Sequence, residues 1–496
     1  MTDTTATTDR NRWIALYVLC AGMLMIVLDV TVVNVALPSI QDDLGYSQSS
    51  LAWVINAYLI AFGGLLLLSG RFGDLLGRKT VLMAGLGVFT LASLLCGVAW
   101  SQETLVAARF IQGVGGAMTS AVILGMIFTM FPEPREQAKA IGVYGFVASA
   151  GGSIGLLAGG VLTQSINYHW IFFVNIPIGI ATAILSQRLI PRDEGIGIRQ
   201  GADVAGAVLI TGCLMLTVYT IVGPAAQDGW GSGGALGLLA LSLALLAAFV
   251  VRESRATTPL VPLRIFRSRT LSGANVVQAL TVAGMFGMFF LGTLYLQRVL
   301  GYDPLQIGLA FLPGTLVMGT LSLKFAEPLM MRFGARRVLI PGLGLVVVGL
   351  LLFARVPVDG SYVVDVLPTM LVMSVGIGVS FPPLIALAMA SARPQDAGLA
   401  SGVVNTSAQV GGALGLALLA TVSASRSEHL TASGKAAADA LTGGYHVAFL
   451  IAAALVAAAI AVAVVVLERE PQPEAHGAPA ELSEAVAAQQ VCSEVA

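Results

Sequence analysis

The sequence predicts an all-α integral membrane protein with fourteen transmembrane helices arranged as six, two and six. Three observations carry this prediction. Of 496 residues, 56% are hydrophobic and only 11% charged, against about 25% charged in an ordinary soluble domain. The apolar residues gather into runs of bilayer-crossing length, about 17 to 25 residues each. The chain also repeats short stretches of itself at an offset near 257.

Taken in order, a polar head (1–12) precedes a first span at 13–37, with no small-residue cleavage pattern behind it. A secretory apolar core is shorter, about 7 to 15 residues, so this span stays in place. Spans 2 to 6 follow at 51–70, 79–99, 104–130, 139–163 and 169–190, completing a bundle over 13–190. The segment 191–270 is a linker holding two more spans, 203–223 and 234–251. A second bundle, 271–467, holds spans at 271–297, 305–326, 337–355, 363–390, 399–423 and 446–467. The tail 468–496, rich in Pro, Glu, Gln and Ala, is expected to be disordered.

The repeat fixes the six, two and six grouping. Leu44-Gly45-Tyr46-Ser47 after span 1 matches Leu300-Gly301-Tyr302-Asp303 after span 9, an offset of 256. Gly77-Arg78-Lys79-Thr80-Val81-Leu82 matches Gly334-Ala335-Arg336-Arg337-Val338-Leu339, an offset of 257. Gly151-Gly152-Ser153-Ile154-Gly155-Leu156 matches Gly411-Gly412-Ala413-Leu414-Gly415-Leu416, an offset of 260. Three matches in corresponding places argue for two homologous halves. Six spans fill about 180 residues, so roughly 70 residues, two spans with their loops, are inserted between the halves.

An even span count puts both termini on one side. If that side is the cytoplasm, only Arg298, Arg355, Arg426 and Lys435 of the 26 basic residues lie outside, with Arg109 inside a span. The positive-inside rule therefore predicts cytoplasmic termini and a cell inner membrane location.

Span 1 carries one carboxylate, Asp29, where a buried charge costs at least ~2.5 kcal/mol. Span 4 carries Arg109. At 1.5 Å per residue, Asp29 lies ~13 Å and Arg109 ~9 Å from the outer end of its span, a comparable depth. Asp29 can bind a proton, with Arg109 governing how tightly it is held. The plainer alternative is a static buried ion pair tying spans 1 and 4. By the repeat offset, Met285 and Leu367 occupy the corresponding positions of the second half, so the charge chemistry belongs to the first bundle.

The loop Gly70-Arg71-Phe72-Gly73-Asp74-Leu75-Leu76-Gly77-Arg78-Lys79 joins spans 2 and 3. Glycines permit a tight turn, and Asp74 among cations can form an ion-pair cluster at helix ends; a plain basic hairpin is the alternative. The phosphate-loop pattern is not met, and ATP is not the expected energy source. The second copy of the loop has Met331 in the place of Asp74. In span 5, Gly151, Gly155 and Gly159 form a small-residue stripe suited to close helix packing, expected against span 10.

Side chains expected to line a substrate path are Asn34, Asn56, Tyr58, Gln112, Tyr144, Asn275, Gln278, Tyr295, Asn405 and Gln409, each open to the alternative of satisfying a neighbouring helix. With Asp29 the one deep carboxylate, a neutral or singly charged amphipathic compound fits best. Cys20, Cys96, Cys213 and Cys492 show no disulfide or metal spacing, and His169, His429, His446 and His476 do not cluster. Asn405-Thr406-Ser407 matches a glycosylation pattern but falls inside a span. No nucleophile constellation supports an enzyme, and neither a cofactor, a metal nor a nucleic-acid partner is expected.

The loop at Gly70, Asp74, Gly77, Arg78 and Lys79 resembles the signature G-x-x-x-D-x-x-G-R-[KR] of the major facilitator superfamily. The fourteen spans resemble its drug/proton antiporter branch. Leu28-Asp29-Val30-Thr31-Val32-Val33-Asn34-Val35-Ala36-Leu37-Pro38 is similar to that branch's span 1 motif. Arg109-Phe110-Ile111-Gln112-Gly113-Val114-Gly115-Gly116-Ala117 is similar to the span 4 motif, and Trp170-Ile171-Phe172-Phe173-Val174-Asn175-Ile176-Pro177-Ile178-Gly179 to the span 6 motif. In the span 5 motif G-x-x-x-G-P-x-x-G-G, Gly151, Gly155, Gly159 and Gly160 match, while Leu156 stands where the family has proline. The resemblance implies a proton-coupled exporter of hydrophobic small molecules, a monomer in the bilayer working by alternating access. Leu156 leaves an uptake symporter or facilitator on the same fold as the alternative.

Overall fold

The computed structural model describes residues 2–46, 48–51, 53–193, 195–197, 203–225, 229, 231–256, 259, 268–390 and 396–467. The expected disordered tail, 468–496, lies outside them, as does the side chain of Leu156. The main helices are α1 (Thr2–Leu44), α2 (Trp53–Leu76), α3 (Arg78–Gly97), α4 (Gln102–Met130) and α5 (Pro134–Ser165). Next come α6 (Trp170–Phe173 continued by Asn175–Leu189), α7 (Val204–Val222) and α8 (Gly233–Arg255). The rest are α9 (Arg269–Arg298), α10 (Pro304–Lys324), α11 (Ala335–Phe353), α12 (Leu367–Met389), α13 (Ala397–Ala432) and α14 (Ala437–Val466).

Among the described residues, thirteen helices are long and apolar enough to cross a bilayer. The remaining expected span, 203–223, coincides with a shorter apolar helix, Ala205–Ile221 of α7. The polar head expected ahead of span 1 continues helically, since α1 starts at Thr2.

Local chemistry sets several helix starts. Ser101 and Thr104 form a reciprocal capping box at α4, and Asp303 with Gln306 does the same at α10, followed by Pro304. At the turns into α3 and α11, Gly77 and Gly334 have φ of +93° and +82°, a region that side chains with a Cβ avoid. These turns are the two copies of the repeated loop, folded alike.

The repeat is visible in the packing. In the first half α1 packs along α5, and in the second α9 packs along α13. The glycine stripe of α5 faces α1. A Cβ on Gly151 would lie 2.8 Å from Val27, one on Gly159 would lie 3.1 Å from Val32, and one on Gly155 would strike Thr31. In the matching place, a Cβ on Gly411 would lie 2.6 Å from the Cα of Ala279 on α9. The stripe is thus not the surface that meets α10, contrary to expectation, because small residues bring two backbones together without specifying which two.

α5 does reach α10, through another face. Ser153 Oγ and Thr315 Oγ1 share a hydrogen bond of 2.5 Å, and Ser322 Oγ donates to the carbonyl of Gly142 at 3.1 Å. The other joint between the halves is α2 and α4 against α13. α7 packs on α2 and reaches α13. Leu67, Ile210, Phe249, Leu399 and Val403 form one buried cluster shared by α2, α7, α8 and α13.

Candidate functional site

At the centre of the first six helices lies a buried polar cluster built by five of them. Arg109 (α4) and Asp29 (α1) are each 1% exposed, and Arg109 Nη1 donates to Asp29 Oδ2 at 2.5 Å. The same nitrogen donates to Gln112 Oε1 at 2.6 Å, and Arg109 Nε donates to the carbonyl of Val54 on α2 at 3.0 Å. The other carboxylate oxygen, Asp29 Oδ1, accepts from Gln112 Nε2 at 2.7 Å and from Asn175 Nδ2 of α6 at 2.9 Å. Gln112 Nε2 also donates to Ser93 Oγ of α3 at 2.9 Å. The guanidinium sits 4.5 Å from the ring centroid of Tyr58, a cation–π contact.

A buried ion pair survives only when its remaining hydrogen-bonding capacity is met. Here the carboxylate has three donors from three side chains, all of which suit its ionised form. The predicted pairing of Asp29 with Arg109 is therefore observed. Gln112 and Tyr58, expected along a substrate path, are instead the partner and the ring platform of that pair. The spacing of Arg109 and Gln112, three residues apart on one helix, puts them on one face and is the signal for this. Asn175, Ser93 and the Val54 carbonyl were not anticipated. Asn175 is the one amide inside the span 6 motif, and its rotation toward Asp29 is not readable from a line of sequence.

The second cluster lies at the end of the bundle that carries the loop between α2 and α3, called here the basic face. Asp74 is 4% exposed. Its carboxylate crosses to the other half, accepting from the backbone nitrogens of Gly398 at 2.9 Å and Leu399 at 2.8 Å in the first turn of α13. This is a helix N-terminus occupied by an anion. Arg78 Nη2 pairs with Asp74 Oδ1 at 3.2 Å. A Cβ on Gly70 would lie 2.5 Å from the Gly398 carbonyl oxygen, so α2 and α13 touch backbone to backbone. Lys79 Nζ donates to the carbonyls of Gln187 and Ile190 at the end of α6, at 2.9 and 2.6 Å.

In the second half, Arg336 likewise donates to the carbonyls of Ala463 and Val464 at the end of α14. Met331 stands exposed in the place of Asp74. The α5–α10 side is joined by an outer ion pair, Arg135 Nε to Glu327 Oε1 at 2.7 Å, with Arg135 79% exposed.

Toward the opposite face the first half carries an open groove. Of about 790 Å³, it is lined by Trp53, Ala57 and Ile60 of α2 and by Glu103, Phe110 and Ile111 of α4, among others. On α2 these positions continue at helical spacing into Gly63, Leu67 and Gly70, the face that meets α13. The groove itself is walled by residues of the first half, on α2, on α4 and in the segment that precedes α2. None of the expected substrate-lining residues is on it.

Those residues are placed elsewhere. Tyr295 Oη donates to the Pro357 carbonyl at 2.6 Å, and Tyr144 Oη contacts Met23 Sδ at 3.8 Å. Asn34 is exposed and donates to its own helix at Val30, as Asn405 does at Ser401. Gln409 is half-buried near Gly63, and Asn56 is buried. Asn275 and Gln278 are buried with side-chain oxygens that lack a partner. Among the described residues no group of His, Cys, Asp or Glu could hold a metal.

The sequence matches the family profile described as Major Facilitator Superfamily over residues 19–416. It is similar to a puromycin resistance protein of Streptomyces alboniger, 42% identical over 451 residues, covering 90% of this chain and 89% of that one. It is also similar to a cephamycin export protein of Amycolatopsis lactamdurans, 38% identical over 414 residues, covering 83% and 85%. Among solved structures it resembles the human organic anion transporter TETRAN with a TM-score of 0.65 at 16% identity, covering 91% of this chain and 99% of that one. At that identity the last likeness speaks for the fold alone.

Proposed function

As the chain belongs to the Major Facilitator Superfamily, we propose that it is a drug/proton antiporter, exporting hydrophobic or amphipathic small molecules, antibiotics among them, by alternating access. The observation that carries this reading is the carboxylate of Asp29, buried in a helical bundle with three donors around it. Such a group is costly in a membrane and is retained where a proton or cation is handled. The export direction is supported by relatives named for antibiotic resistance and export.

By the positive-inside argument the basic face and both termini lie in the cytoplasm of a cell-membrane protein, which acts as a monomer. The two units that rock are 13–190 and 271–467, with 191–270 as the linker and inserted pair. The Asp74 contact then closes the cytoplasmic side while the groove opens outward. In this state substrate leaves along apolar walls and Asp29 takes up a proton. Protonation removes the charge that Arg109 Nη1 holds, loosening α1 from α4 so that the bundles can rock. The inward-facing state releases the proton to the cytoplasm and loads substrate. An uptake symporter is favoured by one observation only, Leu156 in place of the motif's proline.

Everted membrane vesicles with an imposed proton gradient test the reading, with ethidium and puromycin as probes. Gradient-dependent accumulation that is lost in Asp29→Asn supports antiport. Accumulation that ignores the gradient, or that persists in Asp29→Asn, overturns it.

A further inference from the structure

Asn175 is fully buried, and its two amide atoms have unequal fates. Nδ2 donates to Asp29 Oδ1 at 2.9 Å, while Oδ1 has no hydrogen-bond partner. The orientation follows from chemistry, since an ionised carboxylate accepts only and must be faced by the NH2. A buried amide oxygen left unpaired in a five-helix cluster is an exception to the rule that such atoms are satisfied.

Among the neighbours of Asp29, the other spare acceptor is Tyr58 Oη, which like Asn175 Oδ1 has no hydrogen-bond partner. Arg109 is a donor only. Gln112 uses Oε1 for Arg109 Nη1 at 2.6 Å and for Cys96 Sγ at 3.5 Å, so its amide is fixed. Tyr58 lies under the guanidinium face and its Oη makes no hydrogen bond to Asp29, whereas Asn175 is already bonded to Oδ1. From α5, the stripe of Gly151, Gly155 and Gly159 contributes no titratable group. The titratable and charged groups facing Asp29 are thus Arg109 from α4, Tyr58 from α2 and Cys96 from α3.

When Asp29 takes a proton, one oxygen turns from acceptor to donor and needs an acceptor. Oδ2 is held by Arg109, so the proton goes to Oδ1, the oxygen that Asn175 faces. We propose that Asn175 is the positioning residue that lets Asp29 exist in both protonation states. Its amide donates Nδ2–H to the carboxylate and, turned over about its last torsion, accepts the acid O–H on Oδ1. The turn exchanges two atoms of similar size in place and needs no backbone motion. The atom that is idle in the ionised state is the one engaged in the protonated state. This inference rests on the reading of Asp29 as the proton site.

Infrared difference spectra of the purified full chain in nanodiscs, recorded between high and low pH, test it. The wild type should show a carboxylic-acid C=O band at low pH that disappears in Asp29→Asn. In Asn175→Val that band should move to higher frequency, because the acid O–H has lost its acceptor, and Asn175→Thr should bring it back toward the wild-type position. A second measurement needs no variant that could misfold at this site. In wild-type protein with isotope-labelled asparagine side chains, the same pH step should lower the frequency of one label-sensitive amide band, and this shift should vanish in Asp29→Asn. Absence of any acid band assigned to Asp29 overturns the proton-site reading itself. A band assigned to Asp29 that Asn175→Val leaves in place, or a silent asparagine label, overturns the role of Asn175 alone.

Discussion

Asp74 of α2 caps the first turn of α13 across the seam between the halves, its Oδ1 2.9 Å from the backbone nitrogen of Gly398. Its Oδ2 takes the next nitrogen, that of Leu399, at 2.8 Å. Hydrogen bonds to a charged group contribute about 1.5–3 kcal/mol each. Removing them in Asp74→Ala should shift the population away from closure at the basic face by at least tenfold, as ~1.4 kcal/mol corresponds to a factor of ten. Spin labels on the exposed Leu76 and Met331 should report a longer distance in the variant. An unchanged distance distribution would mean that the cap contributes nothing to closure.

Breaking the central ion pair should be worse than removing it. A buried charge left alone costs ~3–5 kcal/mol, whereas replacing both partners by apolar groups is often neutral. Arg109→Leu and Asp29→Leu should each lower the melting temperature of the purified protein more than the double variant does. All three should fail to transport. A double variant less stable than both singles would contradict the account of the cluster.

The span pattern and the paired loops were legible because hydropathy and charge are signals along one dimension. The offset of 257 pairs Lys79 with Arg336, and the structure gives the two the same task, capping the carbonyls at the ends of α6 and α14. Lateral relations were harder. The stripe of Gly151, Gly155 and Gly159 announces a close contact but is silent on its partner, which is α1. Gln112 and Tyr58 looked like substrate contacts because a polar side chain in a span reads the same whether it faces a cavity or a buried charge. The α2 and α4 groove was missed for the opposite reason: Trp53, Phe110 and Ile111 are indistinguishable in sequence from lipid-facing residues.

The stripe offers a paired test. A Cβ at Gly155 strikes Thr31, and α1 cannot retreat without disturbing Asp29 on the same helix. Gly160, one position past the end of the stripe, has nothing within 4 Å of an added Cβ. Gly155→Ala should cost about 1–3 kcal/mol by overpacking, while Gly160→Ala should lie within ~0.5 kcal/mol of wild type. Thermal unfolding of the two variants side by side decides this, and equal effects would place the stripe's partner elsewhere.

The outer groove makes a prediction about accessibility that depends on the Asp74 cap. Ile111 is 43% exposed on the groove wall, whereas Leu67, on the α2 face that continues the groove, is 7% exposed against α7 and α13. On a background without native cysteines, Ile111→Cys should react readily with a membrane-impermeant thiol reagent applied to intact cells, and Leu67→Cys should not. Adding Asp74→Ala should reverse the order, because the joint that shields Leu67 is the one the cap holds, and a rocking pair of bundles cannot open at both ends at once. Leu67→Cys should then label in everted vesicles while Ile111→Cys slows in intact cells. If both positions gain reactivity together, the halves have separated rather than rocked, and alternating access about this seam is the wrong description.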